Sequence, residues 1–330
     1  MSVDDLITRL LDGNRRALAR LISLVESRAV DVAAVMSRLF PHTGRADILG
    51  FTGPPGAGKS TLVDKVTEYY RRAGKTVGVV AIDPSSPFSG GALLGDRIRM
   101  HRHSQDTGVF IRSLGTRGSH GGLSRSTRDT VRLMDAAGLD IVMIETVGVG
   151  QTELDIMEVA HTTTVVLVPE SGDVVQTMKA GLTEIADIFV VNKSDRDGAD
   201  IIEKELVGMI ELNPPSAWKI PVLKTQATKS VGVEDLCARI DEHTTMVKAG
   251  RVERRRRKLT ADKEMVEILA GRLEDGLMRA MNERDDGVGR IVHDVLAGRE
   301  NPYAAAASLS ADPELLRRIF AVPANPTPNP

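Results

Sequence analysis

Apolar residues recur along the chain with two different periods, and the period changes near residues 46 and 249. Before residue 46, leucine, isoleucine and valine follow one another at steps of three and four, which predicts amphipathic helices. Asn14 stands where it can cap the second of these helices. From 249 to 321 a similar stripe, which includes Leu269, Leu273 and Leu277, again predicts helices. Residues 322–330 are rich in proline and predict a loose tail.

Between residues 46 and 248 the pattern predicts a doubly wound, mostly parallel α/β sheet. Short runs rich in β-branched residues are apolar at nearly every position, which is typical of strands buried on both faces, and amphipathic helical segments separate them. These runs are Ile48–Thr52, Thr76–Ile82, Val109–Ser113, Asp140–Ile144, Thr164–Val168, Ile188–Val191 and Pro221–Lys224. The predicted organisation is an N-terminal helical extension (1–45), an α/β domain (46–248), a helical arm (249–321) and the tail (322–330).

Composition and charge exclude several classes of protein. At 42% hydrophobic and 27% charged, the 330 residues can form a folded core. The 43 basic and 45 acidic residues nearly cancel, so no overall field favours nucleic acid or an anionic membrane. No apolar run approaches the roughly 18 residues of a membrane-spanning helix. One cysteine, Cys237, excludes an internal disulfide, and acidic residues near the N-terminus argue against a secretion signal. We expect a cytoplasmic protein without a nucleic-acid or membrane partner.

The motif G-x-x-x-x-G-K-[ST] follows the first predicted strand and opens a helix, the setting of a phosphate-binding P-loop. It comprises Gly53, Pro54, Pro55, Gly56, Ala57, Gly58, Lys59, Ser60 and Thr61. Glycines let backbone N–H groups curl around a phosphate, and the helix N-terminus adds partial positive charge. Lys59 can reach the terminal phosphates, and the Ser60 hydroxyl can ligate Mg²⁺. The sequence therefore predicts a nucleotide site.

A second motif, Asn192-Lys193-Ser194-Asp195, follows a buried strand and predicts that the nucleotide is GTP. A carboxylate at Asp195 can accept from both N1–H and the 2-amino group of guanine, which adenine does not offer. The Lys193 stem would lie over the base, and Asn192 would tie this loop to the P-loop.

After the last predicted strand, Gln226, Ala227 and Thr228 correspond to a third guanine-contacting loop of GTPases. There the N–H of Ala227 is expected to meet guanine O6. Gln stands at position 226 where Ser or Thr is usual, which leaves the side-chain contact open.

Acidic residues at strand ends are candidates for Mg²⁺ ligands and catalysis. Asp83 and Glu145 each end a predicted strand, and Asp96 is a third candidate. Which of Asp83 and Asp96 ligates the metal directly stays open. Glu145 begins a segment like the D-x-x-G switch, in which the Gly148 N–H can turn toward a γ-phosphate. Gln151 is not adjacent to Gly148, so we expect slow hydrolysis unless a partner supplies a missing group.

The chain resembles the MeaB/ArgK (MMAA-type) branch of the SIMIBI-class GTPases over nearly its whole length. The resemblance is carried by GPPGAGKST (53–61), AIDPSSPFSGGALLGDRIRM (81–100), ETVGVGQTE (145–153), PESGDVVQTMKAG (169–181) and NKSD (192–195). It implies a homodimeric GTPase chaperone of an adenosylcobalamin-dependent acyl-CoA mutase, usually methylmalonyl-CoA mutase. Such a chaperone gates cofactor loading, protects the mutase and is stimulated by it. Adenosylcobalamin belongs to the mutase, through which an adenosyltransferase is a further partner.

The resemblance also implies switch segments and a dimerisation region, and two alternative functions stay open. Switch segments would map to 83–100, 145–153 and 169–181, with Lys179 and Gln151 signalling nucleotide state to the partner, and the C-terminal helices would form a dimerisation arm. A nickel-delivery GTPase of the same class is disfavoured by the single cysteine and scattered histidines. An ATP-dependent small-molecule kinase is disfavoured by the guanine motif. The sequence does not distinguish among acyl-CoA mutases as client.

Overall fold

The computed structural model describes residues 1–83, 103, 105–115, 125–146, 152–172, 184–214, 216–250, 255–282 and 286–320. The chain forms two compact units, Met1–Glu253 and Arg254–Pro330. The first unit contains the sheet and both nucleotide motifs, and the second is helical in its described residues.

Three amphipathic helices open the first unit, as the sequence predicts. They are α1 (Val3–Leu11), α2 (Arg15–Glu26) and α3 (Val32–Leu39), followed by a 3₁₀ turn at Phe40–His42. Each helix begins at a polar residue whose side chain accepts from the first turn, which is how orphan N–H groups are satisfied. At α2 this residue is Asn14, whose side chain accepts from the N–H of Ala17 at 3.0 Å, so the predicted cap is confirmed.

The centre of the unit is a seven-stranded sheet in which every neighbouring pair is parallel. Its strands are β1 (Asp47–Thr52), β2 (Val77–Asp83), β3 (Val109–Gly115), β4 (Ile141–Glu145), β5 (Thr162–Leu167), β6 (Ile188–Asn192) and β7 (Val222–Thr225). The order β3-β2-β4-β1-β5-β6-β7 puts β1 at the centre. All seven predicted strands are confirmed, and no strand end differs from its predicted position by more than two residues. Ligands of such sheets bind at the carboxyl ends of the central strands, where the winding reverses.

Helices cover both faces of the sheet. They are α4 (Lys59–Arg72), α5 (Arg125–Ala136), α6 (Thr152–Val159), α7 (Ala199–Glu211) and α8 (Val233–Lys248). Because side chains alternate along a strand, neighbouring residues serve different cores. Val80 and Ile82 of β2 join a cluster with α1, α2, α3 and α5, whereas Val77 and Val79 join one with α4 and α8. The fold is therefore the predicted doubly wound α/β fold, with the N-terminal helices packed into one of its cores.

Asp135 of α5 attaches the chain between the N-terminal helices and β1. Its buried carboxylate accepts from the backbone N–H groups of Gly44, Arg45 and Ala46, at 2.5, 3.1 and 2.8 Å. Three hydrogen bonds to one carboxylate satisfy backbone donors that the connection would otherwise leave unpaired. The bonds fix where β1 begins.

The second unit contains α9 (Arg255–Asn282), α10 (Asp286–Leu296), α11 (Pro302–Ala311) and α12 (Pro313–Phe320). The C-terminal half of the α9 stripe packs in this unit's core through Leu273 and Leu277. Farther toward the start of α9, Val266 and Leu269 are 62% and 48% exposed. Among the described residues of the whole chain, no helix is both long and apolar enough to cross a bilayer.

Candidate nucleotide-binding site

A glycine-rich loop joins β1 to α4 at the carboxyl edge of the sheet. Gly53, Gly56 and Gly58 have φ angles of 138°, 77° and 88°, which side-chain-bearing residues rarely adopt. Two of them also allow close approach: a Cβ at position 53 would lie 2.0 Å from the carbonyl oxygen of Val166, and one at position 58 would lie 2.5 Å from Nδ2 of Asn192. The loop therefore requires these glycines for both conformation and packing.

The loop leads into the N-terminus of α4, where an anion would find donors. The preceding residue, Gly58, has no side chain with which to cap the helix, and the partial positive charge of a helix N-terminus favours an anion. Lys59 is buried, and its ammonium donates to the carbonyl oxygens of Gly53 at 2.8 Å and Pro54 at 3.1 Å. The carbonyl oxygens of Gly53 and Pro54 therefore face the Lys59 ammonium.

The structure brings together two of the predicted magnesium ligands. The Ser60 hydroxyl on α4 donates to Oε1 of Glu145 at the end of β4, at 2.5 Å, and both residues are buried. A hydroxyl and a carboxylate are hard oxygen donors of the type that Mg²⁺ prefers. The donor set at this position therefore fits a magnesium ion.

The remaining predicted residues of this region lie partly outside the described part of the chain. Asp83 ends β2, whose Ala81 pairs with Glu145, so the backbone of Asp83 is at the same edge of the sheet. The side chain of Asp83 is outside the described residues, as are Asp96, Gly148, Gln151 and Lys179.

Asn192 connects the guanine motif with the P-loop. It ends β6, and its Nδ2 donates to the carbonyl oxygen of Ala57 at 2.8 Å. Its Oδ1 accepts from the Thr225 hydroxyl at 3.0 Å and from the N–H of Ala227 at 3.1 Å.

Lys193 adopts a positive φ of 55° and donates to the carbonyl oxygen of Gly56 at 2.8 Å. The predicted tie between the two loops is therefore present.

The residues predicted to contact guanine follow β6 and β7. The Asp195 side chain is 49% exposed and lies 3.5 Å from the ammonium of Lys229. The N–H of Ala227, which the sequence directs toward guanine, is bonded to Asn192 here. Thr228 is exposed, and the N–H of Gln226 donates to the carbonyl oxygen of Val231. The sequence did not predict this contact of Lys229, because Lys229 belongs to none of the motifs and only its charge indicates an acidic partner.

The parallel sheet, the glycine loop opening α4 and the N-K-x-D loop after β6 together define a P-loop GTPase of the SIMIBI class. Residues 18–282 match the model of the family described as methylmalonyl Co-A mutase-associated GTPase MeaB. The chain belongs to this family and is a GTPase.

Relatives support this membership. A protein of Pyrococcus horikoshii whose name describes it as a GTPase is 47% identical over 308 residues, which cover 92% of this chain and 96% of the relative. GTPase ArgK of Escherichia coli is 32% identical over 95% of this chain and 96% of its own length. The mouse methylmalonic aciduria type A homolog, a mitochondrial protein, is 36% identical over 71% of this chain and 61% of its own length.

A solved structure shares the fold. The LAO/AO transport system kinase superposes with a TM-score of 0.65 at 27% identity, and the match covers 93% of this chain and 96% of that chain. The resemblance between folds extends along nearly the whole of both chains.

Proposed function

We propose that this GTPase is a chaperone of an adenosylcobalamin-dependent acyl-CoA mutase, and that methylmalonyl-CoA mutase is its client. The observation that carries the proposal is the family match over residues 18–282, since the family is described by its association with that mutase. The similarity to the methylmalonic aciduria type A homolog supports the same partner. In this role the GTPase gates cofactor loading and protects the mutase, while adenosylcobalamin stays on the mutase and its adenosyltransferase acts through it.

The P-loop would hold the phosphates of GTP. Backbone N–H groups of 53–61 surround the β-phosphate, and Lys59 exchanges its carbonyl partners for phosphate oxygens. Ser60, Glu145, Asp83 and Asp96 are the proposed holders of Mg²⁺. When bound, the ion neutralises charge on the phosphates. The bond between Ser60 and Glu145 supports this assignment because it brings two of these oxygen donors together.

Guanine selection is assigned to the loops after β6 and β7. Asp195 accepts from the base edge, Lys193 covers the base, and Asn192 holds Ala227 and the P-loop in fixed relation. The bonds of Asn192 to Ala57, Thr225 and Ala227 support this role, because one side chain connects the phosphate and base subsites.

Hydrolysis is expected to be slow without the partner. Gln151 is displaced in sequence from Gly148, so we do not assign it to orient the attacking water and propose that the partner supplies the missing group. The mutase would complete the site through the segments 145–153 and 169–181, and Lys179 would carry the nucleotide state to it.

We assign homodimer formation to the C-terminal helices. Met265, Val266 and Leu269 of α9 are 58%, 62% and 48% exposed, and a second copy of the chain would bury them. A cytoplasmic location agrees with the lone cysteine, Cys237, being reduced and buried in the core.

The test is GTP hydrolysis by the purified protein with and without apo methylmalonyl-CoA mutase, with ATP in parallel and K59A as the control for contaminating hydrolases. We expect slow GTP turnover that rises about tenfold or more with the mutase, well within the range that a group supplied in trans provides. A rate that ignores the mutase would rule out this client. Stoichiometric Ni²⁺ binding would favour a metal-delivery GTPase, and a preference for ATP would favour a small-molecule kinase.

A further inference from the structure

Two buried threonine hydroxyls join the strands that lead to the P-loop and to Glu145. Thr52 is the last residue of β1 and directly precedes Gly53, while Thr146 directly follows Glu145 at the end of β4. The two Oγ1 atoms are 2.9 Å apart, within hydrogen-bond distance, and each residue is 2% exposed. The bond therefore links the two chain segments immediately beside the phosphate and magnesium groups of the site.

The backbone of the parallel sheet brings these side chains together. The ladder between β1 and β4 pairs Phe51 with Glu145. Thr146 extends the pairing, because its N–H donates to the carbonyl oxygen of Phe51 at 3.1 Å. Thr52 and Thr146 are the next residues along β1 and after β4, so their hydroxyl bond continues the contact between these two segments by one residue.

This bond constrains the groups on either side of it. A hydroxyl removed from water needs a hydrogen-bond partner, and here each threonine supplies the other's. Threonine is stiff about χ1, so a bond between two threonines also restrains both backbones. Glu145 is one residue away and accepts from Ser60 at 2.5 Å. Glu145 is thus held through Thr146 to β1 and through Ser60 to the first turn of α4.

We infer that the hydroxyl bond between Thr52 and Thr146 sets the position of the Glu145 carboxylate relative to the P-loop, and that both threonines are positioning residues for GTP hydrolysis. The inference rests on the proposed function in one respect, the role of Glu145 in holding Mg²⁺. Small displacements matter at such a site, since a misplacement of about 1 Å can cost about 10²-fold in rate.

The test compares T52V, T146V and the double variant with the wild type, because valine keeps the shape of threonine and removes the hydroxyl. T146S keeps a hydroxyl and serves as the rescue variant. T163V is the matched control: Thr163 is a buried threonine of β5 whose hydroxyl has no hydrogen-bond partner within the described ranges. Two quantities are measured, GTP hydrolysis against Mg²⁺ concentration and the affinity for fluorescent mant-GDP with and without Mg²⁺.

We expect T52V and T146V each to lower kcat about tenfold or more and to raise the Mg²⁺ concentration for half-maximal effect, with Mg²⁺-free GDP affinity changed by less than about threefold. The double variant should be no slower than the slower single variant, because both remove the same bond. T146S and T163V should resemble the wild type. A merely structural role for the bond would lower stability and leave the Mg²⁺ dependence unchanged.

Wild-type hydrolysis and Mg²⁺ dependence in T52V and T146V would overturn the inference, as would additive losses in the double variant. If T146V does not fold, T52V decides, because it removes the same bond from the other side. A wild-type rate that ignores the mutase would contradict the proposed client and leave this inference standing.

Discussion

Asn192 at the end of β6 donates to the carbonyl oxygen of Ala57 in the P-loop, at 2.8 Å, although 135 positions separate the two residues in sequence. Asn192 is 2% exposed, and its Oδ1 accepts from both the Thr225 hydroxyl and the N–H of Ala227. One buried amide therefore aligns three loops that approach the site from different strands.

Replacing this amide should weaken the site as a whole. N192A removes three hydrogen bonds and leaves buried partners unsatisfied, so we expect a loss of about 2–4 kcal/mol in unfolding free energy. Affinity for GDP should fall at least about tenfold, because the P-loop loses its support. Urea denaturation and mant-GDP binding measure the two effects. S194A, in the same motif, is the control, and equal behaviour of the two variants would contradict the role of Asn192.

Guanine selection by Asp195 can be tested by changing the base. D195N presents an amide donor, which complements the 2-oxo group of xanthine in place of the 2-amino group of guanine. We expect GDP affinity to fall about 10- to 100-fold and XDP affinity to rise, in line with the value of a good bidentate base contact. D197N, at an exposed aspartate two residues on, should leave both affinities unchanged. Retained GDP preference in D195N would show that another group reads the base.

The pair of His103 and Asp64 should make stability depend on pH. The Nε2 of His103 lies 3.2 Å from Oδ1 of Asp64 on α4, and this hydrogen bond raises the pKa of the imidazole above its usual value. Because the folded pKa exceeds the unfolded one of about 6.5, the pair stabilises the fold fully below that pH. The contribution is lost as pH rises through the folded pKa.

Urea denaturation from about pH 5.5 to about pH 8.5 measures this linkage. The unfolding free energy of H103Q should fall below that of the wild type at acid pH, and the difference should shrink as pH rises. H42Q, at an exposed histidine, is the control. A difference that grows with pH would mean that His103 is neutral in the folded protein.

A buried polar cluster at the amino edge of the sheet should affect stability without affecting nucleotide binding. His243 of α8 lies between the Thr162 hydroxyl, 2.8 Å from Nδ1, and Asp187, 3.5 Å from Nε2, and its ring is 4.8 Å from Trp218. H243A removes the contacts of the imidazole with Thr162 and Trp218 and takes it away from the buried carboxylate of Asp187. We therefore expect a loss of about 2–4 kcal/mol in unfolding free energy.

The readouts for H243A are urea denaturation followed by circular dichroism, the emission of Trp218, the chain's one tryptophan, and mant-GDP affinity. Emission should change because the ring contact is lost. Affinity should stay constant, because the cluster adjoins the starts of β5 and β6 and nucleotide binds at the strand ends. A drop in affinity would connect the cluster to the site.

The sequence predicted the features of this fold that local pattern encodes. Buried parallel strands are apolar at nearly every position, and the P-loop needs its glycines, lysine and serine at fixed spacing, so both were recognisable. Asn192 was expected to reach the P-loop because its motif carries that role. By contrast, the bonds of Thr52 to Thr146 and of Asp64 to His103 depend on strand register and on packing between distant segments. No motif near these four residues in the sequence indicates either bond.

The packing of the N-terminal helices into the sheet bears on how the protein folds. Leu21 and Ile22 of α2 share a hydrophobic cluster with Val142 and Ile144 of β4. These helices are therefore part of the cooperative unit that unfolds with the sheet, and the amides of α2 should exchange with solvent as slowly as those of β4. During synthesis the helices leave the ribosome long before β4 exists. Until β4 has been synthesised, the apolar faces of these helices cannot pack against it. Contacts between segments so far apart in sequence slow folding.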